Sequence, residues 1–262
     1  MKHVGLALGS GGARGYAHIG VIKILQKNKI PIDYVSGTSM GAVIGAFYAL
    51  NLDVEKIEKV SLEFRKLDIL KNLVDINKPH ESLLKGKRIR KFLEKYFGDK
   101  TFDDTKIPLL IGATNLADGS QVIFNKGKIV DAVIASASIP GILPPFEYKN
   151  NLLIDGGVAE GLPVRLVKKM GAKIVIGVDL YSVPDSKVKN NQAFHVLERT
   201  YNLLLSKLSV YQESEYNGKI VVLRPDTGKG FQMFSFDKAE QNIKIGEEEA
   251  KKHLKEIKAM LK

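Results

Sequence analysis

The chain has 262 residues, of which 44% are hydrophobic and 26% charged, with a net charge of +11 and no cysteine. These values are typical of a globular protein with a sizeable core, and the lack of cysteine excludes disulfides and thiolate metal sites. The longest apolar run, Met40 to Leu50, is too short to span a bilayer. No signal-peptide pattern opens the chain, so we expect a cytoplasmic protein.

The 40 Lys and Arg residues are compatible with three kinds of partner: nucleic acid, an anionic membrane surface or an acidic substrate. The simplest alternative is a solvated surface, because the basic residues are spread along the chain and are often interleaved with Glu. No aromatic-interleaved nucleic-acid motif accompanies them, so we expect no nucleic-acid partner.

The N-terminal part alternates between strand and helix patterns. HVGLALG (3–9) is a short apolar run that predicts a buried strand, and a helix follows from about Tyr16 until Pro31 ends it. A second strand is predicted at Ile32–Val35 and a second helix at Gly41–Leu50. This alternation predicts a mostly parallel sheet that is covered on both faces.

Residues of about 51–104 are polar and predicted to be all-helical, as a cap-like region that is the obvious place for a lid. Within this region RIRKFLEKYFG predicts an amphipathic helix that ends at Gly98. The basic face of that helix is either solvated or lies against anionic lipid. Its residues are Lys87, Arg88, Arg90, Lys91 and Lys95.

The sheet is predicted to resume after this region. Asp118-Gly119 predicts a hairpin turn and Gln192 to Tyr216 a long helix, while Ala250, Leu254, Ile257 and Leu261 form one stripe of a C-terminal helix. Further strands are predicted at 107–114, 121–125, 151–155, 173–178 and 219–223, with a short helix at 130–136. No linker divides the chain, so we expect a single domain, 1–262.

GSGGARG (9–15) lies between the first strand and the first helix. Glycines there leave backbone amides free to bind a phosphate or a transient oxyanion. The loop lacks the Lys of a P-loop, and a dinucleotide fingerprint would need a glycine where Arg14 stands. Asp33 lies at the spacing of a ribose-binding acid, so the dinucleotide alternative stays open.

Gly37-Thr38-Ser39-Met40-Gly41 matches G-x-S-x-G between a strand and a helix. The two glycines permit a sharp elbow that exposes the Ser39 hydroxyl at the sheet edge, where the start of a helix favours an alkoxide. The alternative is an ordinary helix N-cap serine. On this motif the nucleophile interpretation is favoured.

A serine nucleophile needs a base. His80, His195 and His253 follow Ser39 but lie in charged or helical contexts, and His18 precedes it within a helix. A histidine triad is therefore unsupported but remains open. Asp155, at the end of an apolar strand and before two glycines, is another candidate base, although on this motif alone an ordinary Asp-Gly turn is favoured.

Four motifs in order make the chain similar to the patatin-like phospholipases, and we place it in their bacterial branch. They are GSGGARG, GTSMG, ASASIPGILPP and DGG followed by LPV. The resemblance implies a three-layer α/β/α sandwich with a mostly parallel central sheet, a Ser–Asp dyad, hydrolysis of lipid acyl esters, and neither metal nor cofactor.

The resemblance makes Ser39 the nucleophile, Asp155 its base, and the amides of Gly11 and Gly12 the oxyanion hole. Arg14 is implied to hold the loop and to meet an anionic headgroup. The other supporting positions are Gly9, Ala13, Gly15, Gly37, Gly41, Gly156 and Gly157. Two departures concern substrate fit: Glu160-Gly161 stands where the family often has Asn-Pro, and Asn115 where it has Asp.

We therefore expect an esterase of the phospholipase A or lysophospholipase type whose partner is a lipid ester. Basic residues such as Arg88, Arg90 and Lys91 suggest peripheral contact with an anionic membrane. Two alternatives remain: a triad esterase that uses Ser39 with a histidine, and a non-catalytic adaptor that kept the fold.

Overall fold

A computed structural model describes residues 3–51, 53–66, 86–181, 193–214, 216–228 and 235–262. The described strands are β1 (Val4–Leu8), β2 (Tyr34–Thr38), β3 (Leu109–Asn115), β4 (Gln121–Phe124), β5 (Phe146–Tyr148), β6 (Asn151–Ile154), β7 (Ile174–Val178) and β8 (Lys219–Leu223). The described helices are α1 (Tyr16–Lys27), α2 (Met40–Asn51), α3 (Val54–Lys66), α4 (Gly86–Phe97), α5 (Ile129–Ser136), α6 (Val164–Lys169), α7 (Ala193–Ser214) and α8 (Ala239–Leu261).

The eight described strands form one sheet in the order β5-β6-β3-β2-β1-β7-β8, with β4 paired to β3 beside this path. Five adjacent strands of this sheet are mutually parallel, namely β3, β2, β1, β7 and β8. β4, β5 and β6 are antiparallel to their neighbours. The prediction of a mostly parallel sheet is confirmed, and the antiparallel strands lie at one side of it.

The central strand β1 is buried on both faces, which is why its sequence is a continuous apolar run rather than an alternating one. Leu6 and Leu8 pack with α1, α2, α5 and α8 on one face. Ala7 packs on the other face, against Val164 and Val167 of α6. Helices therefore cover both faces of the sheet, as a three-layer sandwich requires.

Three elements differ from the prediction. β2 begins two residues late, after Asp33 accepts a hydrogen bond from the Val4 amide at 2.7 Å, and it continues to Thr38 because β1 and β3 flank it. β5 was not predicted, because its turn to β6 uses Lys149 and Asn150, both at positive φ (47° and 64°), rather than glycine. α6 has six residues, too few to show a helical period.

The region 51–104 contains α3 and α4, as predicted, while residues 67–85 lie outside the described part of the chain. α4 buries Leu93 and Phe97 and is followed by Gly98 at φ +54°. Its basic face is partly engaged, because Arg90 binds Asp131 at 2.7 Å. The side chain of Arg88 lies outside the described residues. Among the described helices, none is both long and apolar enough to cross a membrane.

Candidate active site

The pairing of β3 brings the ends of β2 and β6 together. On one edge of β3, β4 pairs with residues 111–114. The opposite edge pairs first with β2, where Thr38 faces Gly112, and then with β6, where Ile154 faces Thr114. Because β6 runs antiparallel to β2, the two strands approach each other end to end along this edge. The residues that follow them, 39 and 155, are thereby brought together.

Ser39 has a backbone conformation that its residue type rarely adopts, with φ +56°. An N-cap residue normally has extended backbone, so this serine is not an ordinary cap. Its amide donates to the Ser136 hydroxyl at 2.8 Å, which donates in turn to the Gly112 carbonyl at 2.6 Å. The backbone of Ser39 is thus fixed by buried contacts, and this residue is 3% exposed.

The elbow requires glycine on both sides of Ser39. A Cβ at position 37 would lie 2.4 Å from the Gly41 carbonyl oxygen, and one at position 41 would lie 2.0 Å from that of Leu8. We expect Gly41→Ala to lower the free energy of unfolding by about 3 kcal/mol, because only backbone movement relieves this overlap. Urea unfolding followed by circular dichroism measures the change.

Gly45→Ala is the matched control for Gly41→Ala, because it lies in the same helix and its Cβ would first meet a side-chain methyl of Val35, at 3.1 Å. Its stability is expected to stay within about 1 kcal/mol of wild type. Wild-type stability and turnover in Gly41→Ala would contradict the tight elbow.

Asp155 is 1% exposed at the end of β6. One carboxylate oxygen accepts from the Gly157 amide at 2.7 Å, and the Asp155 amide donates to the Ser138 carbonyl at 2.8 Å. Burial raises the pKa of Asp155 to about 6, while hydrogen bonding with Ser39, Gly157 and Tyr201 opposes the rise. The Ser39 hydroxyl and the Asp155 carboxylate therefore meet in a dehydrated setting, where the carboxylate is a stronger base than in water.

The loop before α1 presents free amides. The amides of Gly9, Ser10 and Arg14 donate to backbone carbonyls. Between them, the amides of Gly11 and Gly12 have no acceptor within the described part of the chain. Gly12 has φ +56°, a conformation that glycine adopts without strain. These two amides are available to bind an oxyanion.

Arg14 is tied to this loop and to α7. Its Nε donates to the Gly11 carbonyl at 3.2 Å, and its Nη2 donates to the Asn202 side-chain oxygen at 3.1 Å. The guanidinium also lies 4.7 Å from the ring centre of Tyr181. These contacts support the predicted role in holding the loop. Because Arg14 is only 8% exposed, they give no support to the predicted headgroup contact.

The supporting glycines lie where backbone segments approach closely. An added Cβ would come within 2.9 Å of another residue at each of Gly9, Gly15, Gly37, Gly41, Gly156 and Gly157. Ala13 is fully buried, and its carbonyl accepts from the Asn242 side chain at 3.3 Å. The structure therefore brings these predicted positions together around Ser39 and Asp155.

The two departures from the family pattern have structural roles. Glu160 is fully buried; it accepts from the Gln121 side chain at 2.7 Å and from the Arg165 amide at 3.1 Å. Its burial raises its pKa. Asn115 accepts from the Ala117 amide at 3.1 Å in the turn after β3. Glu160 thus joins the loop after Asp155 to β4 and α6.

The described histidines do not contact Ser39. His18 is fully buried, and its Nε2 lies 2.8 Å from the Gly9 carbonyl oxygen. Burial lowers the pKa of His18 to about 4, so it is neutral and donates to this carbonyl. His253 pairs with Glu249 and Glu256 on α8. His80 and the side chain of His195 lie outside the described residues.

Tyr201 is a site residue that the sequence did not reveal. It lies in the middle of α7, and its hydroxyl is buried and directed at the Asp155 carboxylate without forming a hydrogen bond of regular geometry. Burial and the nearby Asp155 charge raise the pKa of Tyr201 well above its ordinary value. No glycine motif marks this position. Tyr201 is recognised as a site residue only because α7 packs across the edge of the sheet where Asp155 lies.

We expect Tyr201→Phe to shift the acid limb of the kcat/KM profile above pH 6. The hydroxyl favours the ionised carboxylate, so its removal raises the pKa of Asp155. At pH 6 we expect kcat/KM to fall several-fold, because a smaller fraction of Asp155 is then ionised. Tyr211→Phe, on the exposed side of α7, is the control. An unshifted profile in Tyr201→Phe would contradict this role.

Comparison with known proteins identifies the family. The sequence model of "Patatin-like phospholipase" matches residues 6–168. A lysophospholipase NTE1 of Meyerozyma guilliermondii is 36% identical over 189 residues, which are 71% of this chain and 13% of that protein. One of Pyricularia oryzae is 37% identical over 186 residues, 70% of this chain and 12% of that protein. The chain therefore spans a small part of these curated relatives.

The fold is similar to a solved one. VipD from Legionella pneumophila superposes with a TM-score of 0.64 over 98% of this chain and 67% of that chain, at 14% identity. The expected bacterial branch is not supported, because these lysophospholipase relatives are fungal. With its family match over residues 6–168, this chain belongs to the patatin-like phospholipase family.

Proposed function

We propose that this chain is a lipid acyl hydrolase of the phospholipase A or lysophospholipase type, acting through Ser39 and Asp155. The observation that carries the proposal is the contact between the Ser39 hydroxyl and a buried carboxylate whose pKa is about 6. Such a carboxylate is ionised at neutral pH and has the basicity that proton transfer at that pH favours.

In the first half of the reaction, Ser39 Oγ attacks the ester carbonyl carbon as its proton passes to Asp155. The amides of Gly11 and Gly12 donate to the oxyanion of the tetrahedral intermediate, and each such donor lowers the barrier by about 3–4 kcal/mol. The C–O bond to the alcohol then breaks, and Asp155 returns the proton to the leaving oxygen. An acyl-enzyme on Ser39 remains.

In the second half, a water molecule repeats the attack on the acyl-enzyme. Asp155 takes a proton from the water, and the same amides bind the second oxyanion. The bond to Ser39 Oγ then breaks, Asp155 protonates this oxygen, and the fatty acid leaves. The carboxylate alternates between base and acid, so no histidine is needed.

The substrate class is supported by the relatives, whose name is lysophospholipase. The remaining alternatives have less support. The described histidine rings bind other groups, and a non-catalytic adaptor would not need a dehydrated carboxylate beside a strained serine. Peripheral contact with an anionic membrane and a cytoplasmic location are part of the proposal. Arg90 binds Asp131 and Glu94. Because these carboxylates neutralise its charge, α4 offers less positive charge to a membrane than its sequence suggests.

The proposal is tested by incubating lysophosphatidylcholine and phosphatidylcholine with wild type, Ser39→Ala and Ser120→Ala, and measuring released fatty acid by mass spectrometry. We expect release by wild type and by Ser120→Ala, whose exposed turn lies beyond β3, and none above background by Ser39→Ala. The loss of the nucleophile removes the acyl-enzyme route altogether. Equal release by wild type and Ser39→Ala would contradict the proposal.

A further inference from the structure

The helix α7 has a polar inner face that is bound to the catalytic edge of the sheet. Asn202 accepts from Arg14, and the Ser209 hydroxyl donates to Asp179, just after β7, at 2.7 Å. The Gln212 side chain donates to the carbonyl of Ala159, in the loop after Asp155, at 2.9 Å. With Tyr201 directed at Asp155, these contacts make α7 one wall of the candidate site.

The outer face of the same helix is apolar and exposed. Six of its large apolar side chains are 36–69% exposed. They recur in pairs every seven residues and therefore form one stripe along the 22-residue helix. The stripe consists of Val196, Leu197, Leu203, Leu204, Val210 and Tyr211.

The other exposed large apolar side chains of the described residues are at the same edge of the sheet. Leu116 directly follows β3, and its amide donates to the carbonyl of Leu152 in β6 at 2.8 Å. Val158 follows Asp155 by three residues and is 37% exposed. Exposed apolar surface is thus found on α7 and on the segments next to β3 and β6, and apolar patches of this kind mark interaction sites.

Cations flank one end of the stripe. An open cavity of about 390 Å³ lies between α6 and the C-terminal part of α7. It is lined by Arg165, Lys168, Lys169, Gln212 and Tyr216. Lys168 and Lys169 are exposed, and neither forms an ion pair with a carboxylate in the described ranges. The Lys168 Nζ lies 5.1 Å from the ring centre of Tyr216. An apolar stripe with adjacent lysines that are free of ion pairs is the arrangement by which helices lie on anionic bilayers.

We propose that the outer stripe of α7 docks on an anionic phospholipid bilayer, with the Lys168–Lys169 pair on lipid phosphates. This inference rests on the proposed function, which makes a membrane the source of substrate. Because the inner face of α7 contacts Asp155 and the Arg14 loop, docking by the outer face places the site next to the lipid surface. The net charge of +11 favours the same partner.

The test is sedimentation with phosphatidylcholine vesicles that contain or lack phosphatidylglycerol. We expect Leu197→Glu/Leu204→Glu to lower the partition coefficient about tenfold or more on both kinds of vesicle, because the stripe no longer inserts. Lys168→Glu/Lys169→Glu is expected to lower it about tenfold or more on the anionic vesicles only. The control Lys244→Glu/Lys255→Glu makes the same charge change on exposed positions of α8 and is expected to bind nearly as wild type.

Hydrolysis of p-nitrophenyl butyrate, which is soluble, separates this inference from the proposed function. We expect all three double variants to retain the wild-type rate on this ester. If wild type hydrolyses it but the Leu197→Glu/Leu204→Glu variant still binds vesicles fully, the docking surface is wrong while the hydrolase stands. A wild-type dimer that this variant converts to monomer, with unchanged vesicle binding, would assign the stripe to a second copy and overturn the proposal.

Discussion

Asp155→Asn is expected to lower kcat/KM for a soluble ester by about 10²–10⁴-fold at pH 8, the usual range for removal of a general base. The amide retains the shape of the carboxylate but cannot accept the Ser39 proton. Steady-state hydrolysis of p-nitrophenyl butyrate measures the loss. Asn can still accept from the Gly157 amide, so the site should keep its geometry.

His253→Ala is the control for Asp155→Asn, because that ring is bound on α8 and has no place in the proposed mechanism. It should retain wild-type turnover. Ser39→Ala and the double variant with Asp155→Asn should share one residual rate, since groups that act as a unit are not additive. Turnover by Asp155→Asn within about threefold of wild type would leave the reaction to another base and restore the histidine alternative.

The same Asp155→Asn substitution is expected to stabilise the protein at pH 8. The pKa of Asp155 is near 6 in the folded state, above its ordinary value of 3.8, so the folded protein binds this proton more tightly than the unfolded chain does. The stability from this group is fully present below pH 3.8 and is lost as the pH rises through 6. The rise in pKa corresponds to about 3 kcal/mol, which is the upper limit of the gain in the variant.

Urea unfolding at pH 8 and at pH 4.5 measures this effect, and the gain should shrink towards zero at the lower pH. Asp118→Asn is the control of opposite sign, because hydrogen bonds from Ser120 lower the pKa of that exposed carboxylate. Its removal should slightly destabilise the protein at both pH values, because the lowered pKa keeps this carboxylate ionised at pH 4.5 as well as at pH 8. Equal stability of Asp155→Asn and wild type at both pH values would mean that burial of the Asp155 carboxylate does not lower the free energy of unfolding.

The elbow and the glycine loop could be predicted from sequence because both are local. Gly37 and Gly41 flank Ser39 within one turn. The two glycines are themselves the sequence signal that a side chain does not fit at these positions. The free amides of Gly11 and Gly12 follow from a glycine run between a strand and a helix. These features depend on neighbours in the chain, which a sequence displays.

The contact between Ser39 and Asp155 could not be predicted from any local sequence pattern. Taken alone, Asp155 suggested an Asp-Gly turn, and only the resemblance made it the base. The contact arises because β6 enters antiparallel on the edge of β3 where β2 ends, a register set by pairing. Tyr201 was missed for the same reason, since a tyrosine within a long helix looks like an ordinary packing residue.

The central claim is that the Asp155 carboxylate activates Ser39, and the pH dependence of labelling by a fluorophosphonate tests it most directly. Intact-mass and peptide analysis should find the phosphonyl group on Ser39, with a rate that rises with a midpoint near pH 6, the pKa of Asp155. The Asp155→Asn variant should label far more slowly at every pH. Labelling of Ser39 in this variant as fast as in wild type, or a wild-type rate with no acid limb, would contradict the claim.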